Sequence, residues 1–355
     1  MTADNSTKMT PAVNSPGTPE NQTLPSPALL FDTINAYQRT AAIKAGIELD
    51  VFTAMADAPA TAQMIATHCQ SSPRGIRILC DYLTVLGFLA KSRDQYTLTQ
   101  DSVVFLNRKS PAYAGETLNF LLASEIKGAF DHFTDAVRKG GTAQSQDGTV
   151  APEHPVWISF ARNMGPLMLP AAIHLADLIG LDQSRPLKVL DISASHGRWG
   201  LAFATKNSKA QIVALDWSPV LEVARENARA AGIADRFHTI TGSAFDVEFG
   251  GDYDVVLVPN FLHHFNAADC VRLLIKVQAA LRPGGTVAIV EFVPNADRIT
   301  PPAAAGFSLI MLATTPEGDA YTFAEYSDML GQAGFNRPTM TSLSASMNVA
   351  VIATK

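Results

Sequence analysis

From Pro25 onward apolar residues recur at threes and fours. Leu29, Leu30, Ile34, Tyr37, Ala41, Ala42 and Ala45 predict one helix that Gly46 ends. Leu49–Phe52 predicts a short second helix. Thr61 is placed to cap Ala62–Cys69, and Ser72 before Pro73 opens Arg74–Leu86, whose apolar stripe is Ile76, Leu79, Tyr82, Leu83 and Leu86. Phe88–Ser92 and Gln95–Thr99 then read as a hairpin about Arg93 and Asp94. Helices followed by a hairpin predict a winged-helix unit. Leu118–Val137 and Pro155–Leu181 read as two further helical stretches, joined by a polar loop around Gly140–Gly148.

From Leu187 strand-like and helical runs alternate, which predicts a mostly parallel sheet. The strand-like runs are Lys188–Ile192, Gln211–Leu215, Phe237–Thr241, Tyr253–Pro259, Thr286–Phe292 and Asn348–Thr354. Gly200–Thr205, Val220–Ala231, Cys270–Leu281 and Phe323–Gln332 read as the helices between them. The expected architecture is α/β: a Rossmann-like sheet with an antiparallel C-terminal strand, preceded by a mainly α winged-helix unit. The expected divisions are a disordered tail at 1–26, a dimerisation unit at 27–110, a helical linker and substrate wall at 111–185, and a catalytic unit at 186–355.

Composition narrows the function. The 355 residues are 47% hydrophobic with a net charge of -6, against the basic face that nucleic-acid binding needs. In the winged-helix stretch basic and acidic residues are matched, so self-association through the apolar first helices is the expectation rather than DNA binding. Cys69, Cys80 and Cys270 are too widely spaced for a metal or disulfide framework. No run reaches the roughly 18 apolar residues of a membrane span, and the Ser/Thr/Pro-rich start lacks the features of a signal peptide. A reduced, cytoplasmic protein without membrane partners is expected.

The chemistry-bearing residues gather where the predicted strands end. Lys188–Gly200 reads as strand, acidic Asp191, a small-residue turn (Ser193, Ser195, Gly197) and a helix start, the form of a nucleotide-binding βα turn. Asp216 ends the second strand, where a carboxylate can accept ribose hydroxyls; its other reading is a helix cap. Trp217 could cover an adenine face. The fourth strand runs into Asn260-Phe-Leu-His-His-Phe265. A histidine there has the pKa to take a proton from a phenol-like acid, and adjacent histidines cannot face one point on regular structure, so at most one acts directly. Convergent metal ligands are lacking, so no metal is expected. Trp157, Phe160, Met164 and Met168 read as core or as the wall of an apolar acceptor pocket.

Together, Asp191-Ile-Ser-Ala-Ser-His-Gly197, Asp216, Asn260–Phe265, Leu281-Arg-Pro-Gly-Gly285, Val290-Glu-Phe-Val293 and Gly318-Asp-Ala-Tyr-Thr322 resemble the S-adenosylmethionine (SAM)-dependent O-methyltransferases of the caffeate/flavonoid type and their bacterial relatives. The resemblance spans about residues 27–355. It implies a homodimer that methylates a hydroxyl of a small aromatic or polyketide-like acceptor and releases S-adenosylhomocysteine (SAH). By the same resemblance 191–197 holds the methionyl part of SAM, Asp216 the ribose, and Ser243, Ala244 and Phe245 the adenine side, with Asn260 also at the cofactor. His263 is then the general base and Glu291 its orienting carboxylate, with His264, Phe307 and Met311 closing the acceptor pocket. Ser193 and Ser195 replace the family's loop glycines, Ser243 its acidic adenine residue, and Phe323 its second histidine-orienting glutamate. The rival readings are a relative with a degenerate loop that binds ligand or catalyses another reaction, and a winged-helix regulator.

Overall fold

The computed structural model describes residues 25–180 and 185–355, so the tail expected at 1–26 lies almost wholly outside the described residues, as does Leu181. The first helical run is two helices, Ala28–Ile34 and Ala36–Glu48, parted at Asn35. The apolar repeat carries no sign of the break, because it reports the buried face and not the continuity of the backbone. Gly46 lies inside the second helix instead of ending it. A Cβ there would come within 3.0 Å of the Phe52 ring, so the glycine serves close packing. The expected helix at Leu49–Phe52 is a turn, with Asp50 left-handed, leading into a 3₁₀ turn at Thr53–Met55.

The caps at Thr61 and Ser72 stand as expected, each side-chain oxygen accepting a backbone N–H of its helix. Strands β1 (Ala60–Thr61), β2 (Leu89–Ser92) and β3 (Gln95–Leu98) form a small antiparallel sheet in the order β1-β3-β2. Phe52, Ile65, Ile76, Leu83 and Tyr96 fill the core beneath it. Helix Ala28–Ile34 buries none of its residues and leaves Leu29, Leu30, Phe31 and Ile34 in solvent. A contiguous apolar face of this kind left in solvent marks an association surface.

The stretch expected to be a helical linker is more broken than its periodicity suggests. Leu118–Val137 resolves into Leu118–Leu121, Ser124–Asp131 and Phe133–Lys139. The next run divides into Val156–Asn163 and Gly165–Leu178, because Pro166 has no N–H to carry the ladder through Met164. A helix the sequence reading did not assign, Pro302–Thr314, carries both Phe307 and Met311.

Strands β4 (Leu187–Ile192), β5 (Ala210–Asp216), β6 (Phe237–Thr241), β7 (Tyr253–Pro259), β8 (Leu281–Glu291), β9 (Asn336–Ser342) and β10 (Val349–Thr354) make one sheet. Its order is β6-β5-β4-β7-β8-β10-β9. The first five pair in parallel, and β10 runs antiparallel to both neighbours. Such strands are buried on both faces, which is why β7 and the Val287–Val290 part of β8 read as continuous apolar runs. Leu273, Leu274 and Val277 of helix Ala267–Ala280 pack on one face, each worth about 1.5–3 kcal/mol. Ala171, Ala172, Leu175, Ala202 and Phe203 cover the other.

Candidate active site

The chain leaves β4 toward β5 and β6, then returns to β7 on the other side of β4. In open α/β sheets ligands bind at such a switch point, in the crevice outside the carboxyl ends of the strands, here β4 and β7. Asp191, at the end of β4, is fully buried. Its Oδ2 accepts the Gly200 N–H at 2.9 Å, while Oδ1 is buried without a partner. Burial, offset in part by that N–H, pushes its pKa up to about 8. The loop then turns through left-handed conformations at Ser193 (φ 55°), Ser195 (φ 52°) and Gly197 (φ 71°). This backbone explains why glycine suits these positions.

Asp216 braces the loop from the end of β5. Its Oδ2 accepts the Ser195 N–H at 2.8 Å and its Oδ1 the Trp217 N–H at 2.7 Å. It does not cap the following helix, whose N-cap is Trp217. Burial raises its pKa to about 6 against the pull of these two N–H groups. Trp217 packs with Trp157 and Ile158 against Ala161, Val220 and Val223. Past β6, the Ser243 hydroxyl accepts the Phe245 N–H at 3.2 Å, and Phe245 meets Phe265 edge-on at 4.8 Å. Lys276, which the sequence reading missed, holds this loop by donating to the carbonyls of Ala244, Phe245 and Val247 at 2.7–3.1 Å. Asn260 is left-handed (φ 51°); its Oδ1 accepts from Asn348, and its Nδ2 is buried without a partner.

Glu291 ends β8 and is fully buried. Its Oε1 accepts the N–H groups of Phe261 (3.0 Å), Leu262 (2.9 Å) and His263 (3.4 Å). Its Oε2 pairs with His263 Nδ1. The 3₁₀ turn Leu262–His264 is thus wrapped around one carboxylate. It also brings the two histidines together, with ring centroids 4.2 Å apart, where regular structure would have parted them. Burial and the neighbouring His263 hold the His264 pKa well below its usual value, and its Nδ1 has no partner.

Aromatic rings surround the two histidines. Trp157 lies 5.0 Å from His264, and Phe307 lies 4.8 Å from His263 and stacks on Phe292. Phe160 meets Trp157 at 5.9 Å, and Met164 and Met311 are buried. Met168 reaches the nucleotide-type loop: its sulfur is 3.3 Å from His196 Nε2. No second carboxylate reaches His263 from the Phe323 region, because Glu325 closes a capping box with Thr322 and pairs with Arg298. Among the described residues no cluster of three metal-ligating side chains is present, and no helix is long and apolar enough to cross a membrane.

A Rossmann-like sheet with a braced nucleotide-type loop after β4 and a buried His–Glu pair at the end of β8 is the arrangement of an enzyme that can move a proton beside a nucleotide-type ligand. Comparison with known proteins takes this further. Residues 166–336 match the family model of the O-methyltransferase domain, and residues 31–108 that of the O-methyltransferase dimerisation domain. A solved structure from Nostoc punctiforme with a provisional O-methyltransferase assignment is 54% identical, covers 93% of this chain and 100% of its own, and superposes with a TM-score of 0.90. The 3-hydroxy-5-methyl-1-naphthoate 3-O-methyltransferase of Streptomyces sahachiroi is 28% identical over 87% of this chain and 89% of its own. Human N-acetylserotonin methyltransferase, solved in complex with SAM, shares the fold (TM-score 0.78, 21% identity, 96% of this chain and 99% of its own). The chain belongs to the O-methyltransferase family, the SAM-dependent O-methyltransferases of small molecules.

Proposed function

We propose that the protein methylates a hydroxyl of a small aromatic or polyketide-like acceptor, with His263 as general base, and that it works as a cytoplasmic homodimer joined through residues 27–110. The carrying observation is the buried His263–Glu291 pair at the sheet edge beside the braced loop. With Nδ1 engaged by Glu291, Nε2 is the nitrogen left to take the acceptor's proton. The carboxylate then offsets the positive charge that forms on the ring. The rings of Trp157, Phe160 and Phe307 exclude water and suit a flat acceptor; His264, Met164 and Met311 complete that pocket. Incubation with methyl-labelled SAM and a panel of phenols and hydroxylated polyketides tests the proposal: label is expected on oxygen, and transfer to nitrogen or carbon alone counts against it.

The residues of the crevice fit SAM. Asp191 Oδ1, Ser195 Oγ and Asn260 Nδ2 are buried polar atoms without partners, and burial without a partner costs about 1–3 kcal/mol each, which a polar ligand can relieve. Residues 191–197, Asp216 and 243–245 would hold the methionyl, ribose and adenine parts, with Trp217 and Asn260 beside them. When bound, SAM supplies an electrophilic methyl group on a sulfonium.

Two expected results follow from the braced loop. A serine at φ 52° is strained by roughly 1–2 kcal/mol, partly balanced by the chain entropy of glycine. Ser195→Gly is therefore expected to raise thermal stability by up to about 1 kcal/mol, yet to weaken SAH about fivefold through loss of one hydrogen bond. Calorimetry on the wild type and Ser195→Gly reads the two opposite signs. The rival reading, a relative whose serines have ended SAM binding, requires that the wild type bind no SAH at all.

The second result concerns pH. Asp216 is raised to about 6, so the ionised carboxylate is disfavoured in the free fold. Its stability contribution is full below the ordinary value near 3.8 and is lost as pH rises through about 6. Ribose hydroxyls donate to the ionised form, so ligand binding favours it. SAH affinity is expected to fall as pH drops below about 6, and an affinity constant from about pH 5 to about pH 8 would remove Asp216 from the ribose site.

A further inference from the structure

His196 belongs to the loop between β4 and its helix, yet its side chain leaves that loop. The imidazole is buried. Its Nδ1 accepts the Arg198 N–H at 3.1 Å, so in the neutral ring Nε2 carries the hydrogen and points it at Met168 sulfur, 3.3 Å away. Burial and the Arg198 charge hold its pKa down to about 3, which keeps the ring neutral and this tautomer in place. The ring also lies nearly parallel to Phe160, 16° apart in plane with centroids at 6.1 Å. Its carbonyl accepts from Asn227 Nδ2 at 2.9 Å, and Asn227 Oδ1 accepts from Arg198 at 3.2 Å. The residue is thus held from its own loop and from the helix that follows Asp216. Its one-residue neighbour Ser195 gives its N–H to the Asp216 carboxylate.

We propose that His196 is a positioning residue that ties the cofactor loop to the acceptor wall, so that filling the cofactor site orders helices Val156–Asn163 and Gly165–Leu178 for the acceptor. The inference rests on the SAM reading above. A ligand that fixes the loop at Ser195 fixes the adjoining peptide of His196. The ring then presents one fixed donor to Met168 and one fixed face to Phe160. Close packing transmits such a constraint with little loss. Trp157, which reaches His264, shares a helix with Phe160, so the constraint ends at the pocket beside the base.

Amide hydrogen exchange with SAH as the probe tests this without an acceptor. In the wild type, saturating SAH is expected to slow exchange at 191–200, and also at 157–168 by about tenfold. In His196→Ala, at SAH concentrations that still protect 191–200, the slowing at 157–168 is expected to vanish. Met168→Leu keeps the helix packed but removes the sulfur; it is expected to reduce the response of the wall and leave that of the loop, and it decides the matter if His196→Ala does not fold. Wall protection that is unchanged in the variants overturns the proposal, as does a wild-type wall that stays unprotected while the loop is protected. Absence of protection anywhere in the wild type overturns the SAM reading and this proposal with it.

Discussion

His263→Ala is expected to lower kcat by about 10²- to 10⁴-fold, the range that a positioned general base supplies. SAH affinity is expected to stay near the wild-type value, because His263 is bonded to Glu291 and to none of the residues of the 191–197 loop. The structural cost is small. Glu291 keeps two strong backbone donors, from Phe261 and Leu262, when the imidazole is gone, so its charge is not stranded. Single-turnover assays with labelled SAM separate the outcomes. A kcat within about threefold of wild type would mean that transfer proceeds by proximity alone, with the acceptor already ionised.

Glu291 carries the second large effect, and two substitutions divide its roles. Glu291→Gln keeps an oxygen for the N–H groups of Phe261 and Leu262, so the turn is expected to fold with little loss of stability. The amide nitrogen, however, then faces His263 Nδ1 as a donor. The neutral ring must move its hydrogen to Nε2, the atom that should receive the acceptor's proton. A fall in kcat of about 10²- to 10⁴-fold is expected despite a normal melting temperature, as for other bases held in the wrong tautomer. Glu291→Leu is expected to lose the same activity and also about 3–5 kcal/mol of stability, because buried N–H groups are left without an acceptor. Denaturant titration beside the rate assay reads both. A Glu291→Leu denaturation midpoint equal to that of the wild type would show that the carboxylate does not hold the turn.

Much of the catalytic half was legible because parallel strands buried on both faces write themselves as apolar runs, and their ends can be read from the polar residues that follow. Asp191, Asp216 and Glu291 each close such a run and each lies within the last residues of its strand. The N-terminal half was legible at its caps, Thr61 and Ser72, since a cap is a contact between residues three apart. It was less legible at helix breaks. Asn35, His132 and Met164 interrupt stretches whose apolar periodicity runs on, and a periodicity reports the buried face, not the continuity of the backbone. Helix Pro302–Thr314 escaped notice because it is apolar nearly all round and offers no stripe.

What the sequence determines by itself is local: which runs bury a face, where caps stand, and which polar residues sit at strand ends. The order of the seven strands decides the rest, since it alone sets which ends adjoin. His263 and Glu291, 28 residues apart, meet because β7 lies beside β8. Ser195 meets Asp216 because β4 lies beside β5. The left-handed backbone at Ser193 and Ser195 follows from the same packing, which forces the chain to turn sharply between a strand and its helix. The reach of His196 to Met168 could not be read from the chain at all: it depends on a helix laid across the loop, and a side chain's direction is settled only when its neighbours are in place.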